Sequence, residues 1–545
     1  MIADEDNVCP VCGQRWRDSS ETSEAASSSN ILGHPHTSLT KRAQSRNLQE
    51  VGAKETAIVR RPSPTRLDQK IVELLVVPAV LLVILAVKLW LSLQYRLAIW
   101  DGYSYLSNAR AFLLGRTPSP YHFFELLRPP VFPYLISLVW RITGQNYDVA
   151  TLVQPTFAVA AAYVLFLLLK DAFNLKTATV GGILLAVAPT VFTWTNEILA
   201  HGVAMFFLTL AVYLLWLGME RNEWFLPLAG ISLALSTLTR YDAFVFVPAF
   251  LVVLLSMWIA HRERRSFPWV GLILMVFAFA ALWFPWLYWN YLYEGGPFAS
   301  MISGYLTASG TEPGPWYFYF VNMPDLLTVP GTILLVIGLA DKGIFKDRVK
   351  LAFLLWLATF LALYSLLPEP KDDHYAIMWT PALVVFAAIG FSRVEVHLPS
   401  KAKILAWVLL GLWLTSTFYS GVGASISEAR IQIALYGSVD EFNAVSAWIT
   451  TNTSPTVNGA TDIPTALSYS TDRNFANIYY YDEVAPEMGM SVDQFLSHEN
   501  MTLIVVTSGT AQSLGFPHDP NFNLLKQFPD YDIYAHQCLN CTGGP

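Results

Sequence analysis

Apolar stretches of roughly 17–25 residues recur from Ile71 to Ser420, each long enough to cross a lipid hydrocarbon layer as a helix. In lipid, only helices and closed barrels satisfy their own backbone polar groups, so the chain reads as an all-α polytopic membrane protein. Composition agrees. Of 545 residues, 54% are hydrophobic and 14% charged, with 18 Trp. A soluble chain would carry about a quarter charged residues. The net charge of −7 says little, because what matters is where the charges fall.

Eleven spans are expected, at 71–93, 150–169, 177–194, 198–219, 225–238, 244–260, 269–291, 326–340, 351–367, 375–391 and 404–419. Basic clusters occur at Arg60-Arg61 with Arg66 and Lys70, at Lys170 with Lys176, at Arg262 to Arg265, at Lys342 to Lys350, and at Lys401 with Lys403. With eleven spans all of them fall on one side, which the positive-inside rule makes the cytoplasm, with the N-terminus inside. The stretch 130–143 is also apolar, but it opens on paired prolines and holds Arg141. A crossing there would put Arg262 to Arg265 outside, so it is expected to lie in the outer interface or to re-enter. The segment beyond residue 421 is then extracytoplasmic. The triplets beginning at Asn452, Asn500 and Asn540, which match the N-glycosylation pattern, all lie in it.

Three regions follow. Residues 1–68 are polar and Ser-rich, as a disordered cytoplasmic tail would be, and 71–93 would serve as an uncleaved signal-anchor. The tail holds Cys9-Pro10-Val11-Cys12-Gly13, half of a zinc knuckle, with His34 and His36 as candidate completing ligands. Zinc there would be structural; half a site is equally at home with no metal. Residues 69–421 form the membrane domain. Residues 422–545 look like a small α/β domain, with helical spacing over 439–450 and a buried strand over 502–507. Cys538 and Cys541 outside the cell would form a disulfide or nothing, rather than bind zinc. Asp462, Glu483 and Glu487 are expected at its solvated surface, and no catalytic constellation is visible in this domain.

The chemistry is therefore expected in the outer loops. The first holds Asp101, Arg110, Arg116, His122, Glu125 and Arg128; Glu197 follows the third span, and Arg240-Tyr241-Asp242 turns between the fifth and sixth. Residues 293–325 form a long loop with Glu294, Glu312 and many aromatics, and Glu369 to Tyr375 opens the tenth span. Ionisable groups at membrane depth are expensive and usually mark a site, which favours Glu197 and Arg240 over Glu294 or Asp325. Bland readings stand beside these. Asp101 can be a helix cap, Lys371 and His374 interfacial anchors, and Arg110 and Arg116 part of a solvated face.

The order and sidedness of Trp100-Asp101-Gly102-Tyr103-Ser104-Tyr105, the amphipathic 106–114, Leu127-Arg128-Pro129-Pro130-Val131-Phe132-Pro133-Tyr134, Thr195-Asn196-Glu197, Leu238-Thr239-Arg240-Tyr241 and His374-Tyr375 before Pro381-Ala382-Leu383 carry a resemblance. The chain resembles the GT-C superfamily of lipid-carrier-dependent glycosyltransferases, and most of all its protein O-mannosyltransferase and aminoarabinose-transferase branch. The resemblance implies a GT-C fold over 71–419. It makes Asp101 the first-loop acid that deprotonates or orients the acceptor nucleophile, and Arg128 a contact to the lipid phosphate. Glu197 would be an acid that shapes the site. Lys371 and His374, with Tyr375 beside them, would hold the donor phosphate. Asp101-Gly102 stands where protein O-mannosyltransferases carry two adjacent acids, which leaves the acceptor open.

The expected reaction moves a sugar from a dolichyl- or polyprenyl-phosphate donor to a hydroxyl of a protein, glycan or lipid. Arg128, Lys371 and Arg240 would meet the charge developing on the leaving phosphate. Asp101 would act as general base in a single inverting displacement. The aromatics Trp316, Tyr317 and Tyr319 suit stacking on a sugar or an interfacial belt equally. No catalytic metal is expected, no nucleic-acid partner, and no nucleotide donor, since a GxGxxG or P-loop is absent. Oligomeric state is not legible. The competing classes are a polyprenyl-linked glycan transporter or flippase, whose marks would be internal repeats and mid-span charges, and a non-catalytic membrane scaffold.

Overall fold

The computed structural model describes residues 71–94, 100–115, 128–261, 268–302, 314–366, 371–436, 438–478 and 489–536. Cys9, Cys12, His34 and His36 lie outside these residues, as do Arg116, His122, Glu125, Glu312, Glu369, Glu483, Glu487, Cys538, Asn540 and Cys541.

The apolar runs fold as helices: α1 (Val77–Ser92), α2 (Trp100–Leu114), α3 (Val131–Thr143), α4 (Tyr147–Ala172), α5 (Leu175–Val187), α6 (Pro189–Trp194), α7 (His201–Glu220), α8 (Phe225–Thr237), α9 (Phe246–His261), α10 (Trp269–Tyr293), α11 (Met323–Leu339), α12 (Arg348–Leu366), α13 (Thr380–His397) and α14 (Ser400–Tyr436). Five of them (α4, α7, α10, α12 and most of α14) are long and apolar enough to cross a membrane by length and composition. Two-thirds of the most apolar window of α4 and of α7 is buried, but only 17% of that of α10 and 22% of that of α14. These last two therefore present apolar side chains such as Ile273, Phe277 and Leu412 outward, as lipid-facing helices do.

Charge collects at the two ends of the bundle. At one end, ion pairs tie helix termini together: Lys170 to Glu73, Arg221 to Asp171 at 3.0 Å, Lys350 to Asp341 at 2.7 Å, and Lys176 to Glu395 at 2.7 Å. The other end carries α2, α3 and the C-terminal sheet. The α3 helix buries Phe132, Ile136 and Trp140 at four-residue spacing against α2 and the C-terminal unit. Both of its ends are anchored at this face. The Val131 amide donates to the Leu238 carbonyl at 3.0 Å, and the Trp140 indole to that of Asn146 at 2.7 Å.

Two departures from the sequence expectation have clear causes. The run 177–194 is not one helix: Ala188 is extended (φ −52°, ψ 130°) because Pro189 follows, and α6 starts afresh. The last helix does not stop near residue 420 but continues to Tyr436, directly into the C-terminal unit.

Close packing of α11 on α13 depends on glycine. A Cβ on Gly338 would collide with the Phe386 carbonyl, and one on Gly390 with that of Leu334, so the two backbones touch where neither carries a side chain.

After α14, helix α15 (Val439–Asn452) is capped by Ser438, whose hydroxyl accepts from the Glu441 amide at 3.2 Å. A five-stranded sheet follows in the order β2-β1-β3-β5-β4, from β1 (Asn458–Thr461), β2 (Asn474–Asn477), β3 (Leu503–Thr507), β4 (Phe522–Gln527) and β5 (Tyr531–His536). β1 pairs parallel with β2 and β3; β5 pairs antiparallel with β3 and β4. The helix over 439–450 and the strand over 502–507 thus fold as their patterns require. Asp462 does not lie at the solvated surface. It is 5% exposed at the end of β1 and accepts hydrogen bonds from the Thr507 amide at 3.0 Å and hydroxyl at 2.8 Å. The two hydrogen bonds offset the cost of taking this carboxylate out of water.

Gly390→Val should lower the stability of the detergent-solubilised protein by the upper part of the about 1–3 kcal/mol range for overpacking. A thermal unfolding shift reads this out, and an unchanged midpoint would contradict the glycine contact.

Candidate active site

The site gathers at the face that carries α2, and short local features place each group. Asp101 lies in the first turn of α2, where a carboxylate favours the helix N-terminus. Its carboxylate accepts from the Arg128 guanidinium, so the base and the phosphate contact expected from the sequence meet as an ion pair. The Arg128 guanidinium also stands over the Tyr105 ring, 5.4 Å from its centre, one helical turn along from Asp101. Arg128 Nε is buried with no hydrogen-bond partner among the described residues.

Arg240 follows α8 in extended conformation, which turns its side chain back into the bundle. It grips Asp242 through Nε at 3.0 and 3.2 Å and Nη2 at 2.8 Å, and its Nη1 reaches His201 Nδ1 at 3.5 Å. The Tyr364 hydroxyl donates to the same Asp242 carboxylate. His201 opens α7 and is fully buried; its Nε2 has no partner among the described residues.

The 371–379 segment closes the far wall. Asp372 caps the short helix Asp373–Met378 by accepting from the His374 amide at 2.9 Å, and it also pairs with His374 Nδ1 at 2.8 Å. Burial alone would raise the Asp372 carboxyl, but the hydrogen bonds and charge of His374 hold it below its ordinary value. Neighbouring Asp373 is pushed the other way, by burial first and then by Asp372 and Asp325. The His374 ring lies 4.1 Å from that of Tyr375, 5.0 Å from His201 and 5.5 Å from Trp194. Tyr375 stacks on Tyr364 at 5.3 Å and receives the Arg240 guanidinium at 6.0 Å. Lys371 donates to the Tyr364 carbonyl.

Glu197 is 3% exposed in the turn between α6 and α7, within electrostatic reach of Tyr147. Tyr147 in turn meets Tyr103 of α2, ring to ring at 6.4 Å. Gln154 of α4 holds this turn: its Nε2 donates to the carbonyls of Trp194 at 3.2 Å and Glu197 at 3.0 Å, and its Oε1 accepts from the Gly202 amide at 3.0 Å.

Arg128, Arg240, His374, Tyr375 and Asp101 therefore converge, with Lys371 and Glu197 at the margins. Sequence reading missed His201, Tyr364 and Gln154, and it named Asp242 and Tyr105 only as parts of motifs, with no role of their own. His201 had one available signal, a titratable side chain inside an otherwise uncharged helical run. Two expectations are corrected. Arg110 does not belong to a solvated face: it donates to the Tyr469 carbonyl at 2.9 Å and pairs with Asp472, fastening α2 to the C-terminal unit. Tyr319 is buried, and its hydroxyl donates to the Asp372 carbonyl at 3.2 Å, so it supports the 372 turn and is not free to stack on a ligand.

Chemically, this is two guanidiniums and two imidazoles with three carboxylates paired among them, lined with aromatic faces. Each guanidinium already holds a carboxylate yet keeps further donors, of the five it carries. Buried donors with no protein acceptor, at Arg128 Nε and His201 Nε2, suit an anionic ligand.

The family model for dolichyl-phosphate-mannose-protein mannosyltransferase matches residues 127–289, from the Arg128 loop through α10. An uncharacterized protein of Aquifex aeolicus is 24% identical over 294 residues, 53% of this chain; the chain spans 58% of the length of that relative. Among solved structures, ArnT from Cupriavidus metallidurans bound to undecaprenyl phosphate superposes with a TM-score of 0.63 at 14% identity, over 87% of this chain and 99% of ArnT. The oligosaccharyltransferase AglB from Archaeoglobus fulgidus, in complex with an inhibitory peptide and a dolichol-phosphate, gives 0.56 at 13% identity, over 78% of this chain and 69% of AglB. The chain thus has the fold of the GT-C membrane glycosyltransferases and resembles their protein O-mannosyltransferase and aminoarabinose-transferase branch.

Proposed function

We propose that this chain transfers a sugar from a polyprenyl-phosphate donor to an acceptor hydroxyl, with inversion, using Asp101 as general base. The observation that carries the reading is the Asp101–Arg128 pair within electrostatic reach of Arg240 and His201: a base near a set of phosphate-binding donors, some of them buried and with no protein partner among the described residues. The bound polyprenyl and dolichol phosphates of ArnT and AglB support the donor class.

The step balances as a single displacement. Asp101 takes the proton of the acceptor hydroxyl while its oxygen bonds to the anomeric carbon. The bond from that carbon to the donor phosphate breaks, and the electron pair goes to the phosphate oxygen. The donor is a phosphodiester carrying one negative charge and the product a phosphomonoester tending to two, so negative charge grows during the reaction. Arg128 and Arg240 meet that growing charge in a buried setting, where preorganised donors count most. Lys371 and His374 complete the phosphate end, Tyr375 offers an aromatic face to the sugar, and Glu197 shapes the acceptor side. A phosphate leaving group needs no proton, so one carboxylate suffices, unlike the two of glycoside hydrolysis. In this reading side chains supply all the charge the step needs. The site and the C-terminal unit face the extracytoplasmic side of an eleven-span chain whose N-terminus is cytoplasmic. Mannose is the first sugar to try; protein, glycan and lipid hydroxyls all fit as acceptors.

Purified protein in detergent, given radiolabelled polyprenyl-phosphate-mannose or -glucose, should release polyprenyl phosphate. Asp101→Asn should cut kcat by about 10²–10⁴-fold, the usual worth of a positioned base, while still binding the lipid phosphate; equal turnover in the variant would remove Asp101 from the chemistry. For Arg240→Lys, losing the planar fork on Asp242 should lower kcat/KM for the donor about 10²-fold. A variant as active as wild type would show that Arg240 does not meet the phosphate.

A further inference from the structure

Lys88 is fully buried on α1, and the mechanism above gives it nothing to do. It is the one lysine or arginine buried inside an apolar helix among the described residues. Its Nζ donates to the Phe192 carbonyl at 2.7 Å and to the Val191 carbonyl at 3.4 Å, and lies 4.4 Å from the centre of the Phe192 ring. Those carbonyls belong to the last turn of α6, the six-residue helix that restarts at Pro189. A helix leaves its final carbonyls without internal partners, and inside an apolar bundle water does not take them up.

The partners of these carbonyls come from around the turn. Thr195 Oγ1 donates to Val191 at 2.6 Å, and Asn196 Nδ2 donates to Phe192 at 3.0 Å and to Ser425 Oγ of α14 at 3.0 Å. Gln154 takes the Trp194 carbonyl. Lys88 is the donor in this set that comes from farthest along the chain, and a lysine near a helix C-terminus can hydrogen-bond its last carbonyls. Directly beyond the capped turn come Trp194, which packs on His374, then Glu197, then His201, which meets Arg240.

We propose that Lys88 is a positioning residue: its Nζ caps α6 by hydrogen bonding and thereby fixes the 195–200 turn that sets Trp194, Glu197 and His201 at the active site. The proposal rests on the transferase reading, and it assigns a task to a buried donor that touches none of the groups given a role in the reaction. Met fills the volume of the lysine stem without its donors, whereas Arg keeps donors and charge.

The test compares wild type, Lys88→Met and Lys88→Arg in detergent with two readouts: donor turnover, with kcat and KM separated, and hydrogen–deuterium exchange of backbone amides over 195–202. In Lys88→Met, kcat should fall about 10- to 100-fold, as for a small displacement of catalytic groups, with KM for the donor within about threefold. Exchange over 195–202 should rise about tenfold or more while α10 and α12 are unchanged. Lys88→Arg should bring both readouts back toward wild type. Wild-type kcat and wild-type exchange in Lys88→Met would overturn the proposal. So would faster exchange spread evenly over all helices and not rescued by Arg, which would make Lys88 a residue of general stability. A wild type that turns over no donor sinks the transferase reading alone, and the exchange data then decide Lys88 by themselves.

Discussion

A helix broken inside an apolar bundle is the constraint on which the site depends. Pro189 removes an amide and forces Ala188 out of helical conformation, so the chain between α5 and α7 has carbonyls that no helix satisfies. Each such group left unpaired would cost about 1–3 kcal/mol. The bundle answers with side chains from several helices: Lys88 from α1, Gln154 from α4 and Ser425, through Asn196, from α14. The break is therefore an irregularity held by long-range partners. It creates the only kind of place in an apolar bundle where Glu197 and His201 can stand as polar groups beside an open site.

The second organising interaction is the pairing of partly buried cations with acids. Arg128 holds Asp101 and Arg240 holds Asp242, so neither guanidinium is an isolated buried charge. Such pairs seldom add much stability, because desolvation offsets attraction; removing one partner costs far more. Their value here is orientation. Asp242 also takes the Tyr364 hydroxyl, and Tyr364 stacks on Tyr375, so the Arg240 fork, the aromatic wall and the 371–379 segment form one connected unit.

The C-terminal unit enters the same logic from above. Tyr103 of α2 sits among Tyr147, Phe442 and Tyr469, and Arg110 reaches across to Tyr469 and Asp472. The helix that carries Asp101 is thus buried between the bundle and the sheet, and its first turn is fixed by packing on both sides. This explains why Arg110, expected on a solvated face, is half-buried and tied to the C-terminal unit.

Much of this was legible in the residues. Long apolar runs specify helices whatever their neighbours, and the acids and bases at their ends named Asp101, Arg128, Glu197, Arg240, His374 and Tyr375 before any contact was known. The helix over 439–450 and the strand over 502–507 also follow from local periodicity. Other features needed the fold. Pro189 signals a break that the 177–194 span reading passed over, and nothing local says that Lys88 and Gln154 would cap it from 40 to 104 residues away. Asp462 and Arg110 looked solvated because burial of a polar group is decided by distant donors and acceptors, which no local pattern encodes. Periodicity and charge placement, short-range properties of the chain, thus determined the membrane class and the candidate residues. Tertiary structure alone decided which of them come together, because only packing joins partners far apart in sequence.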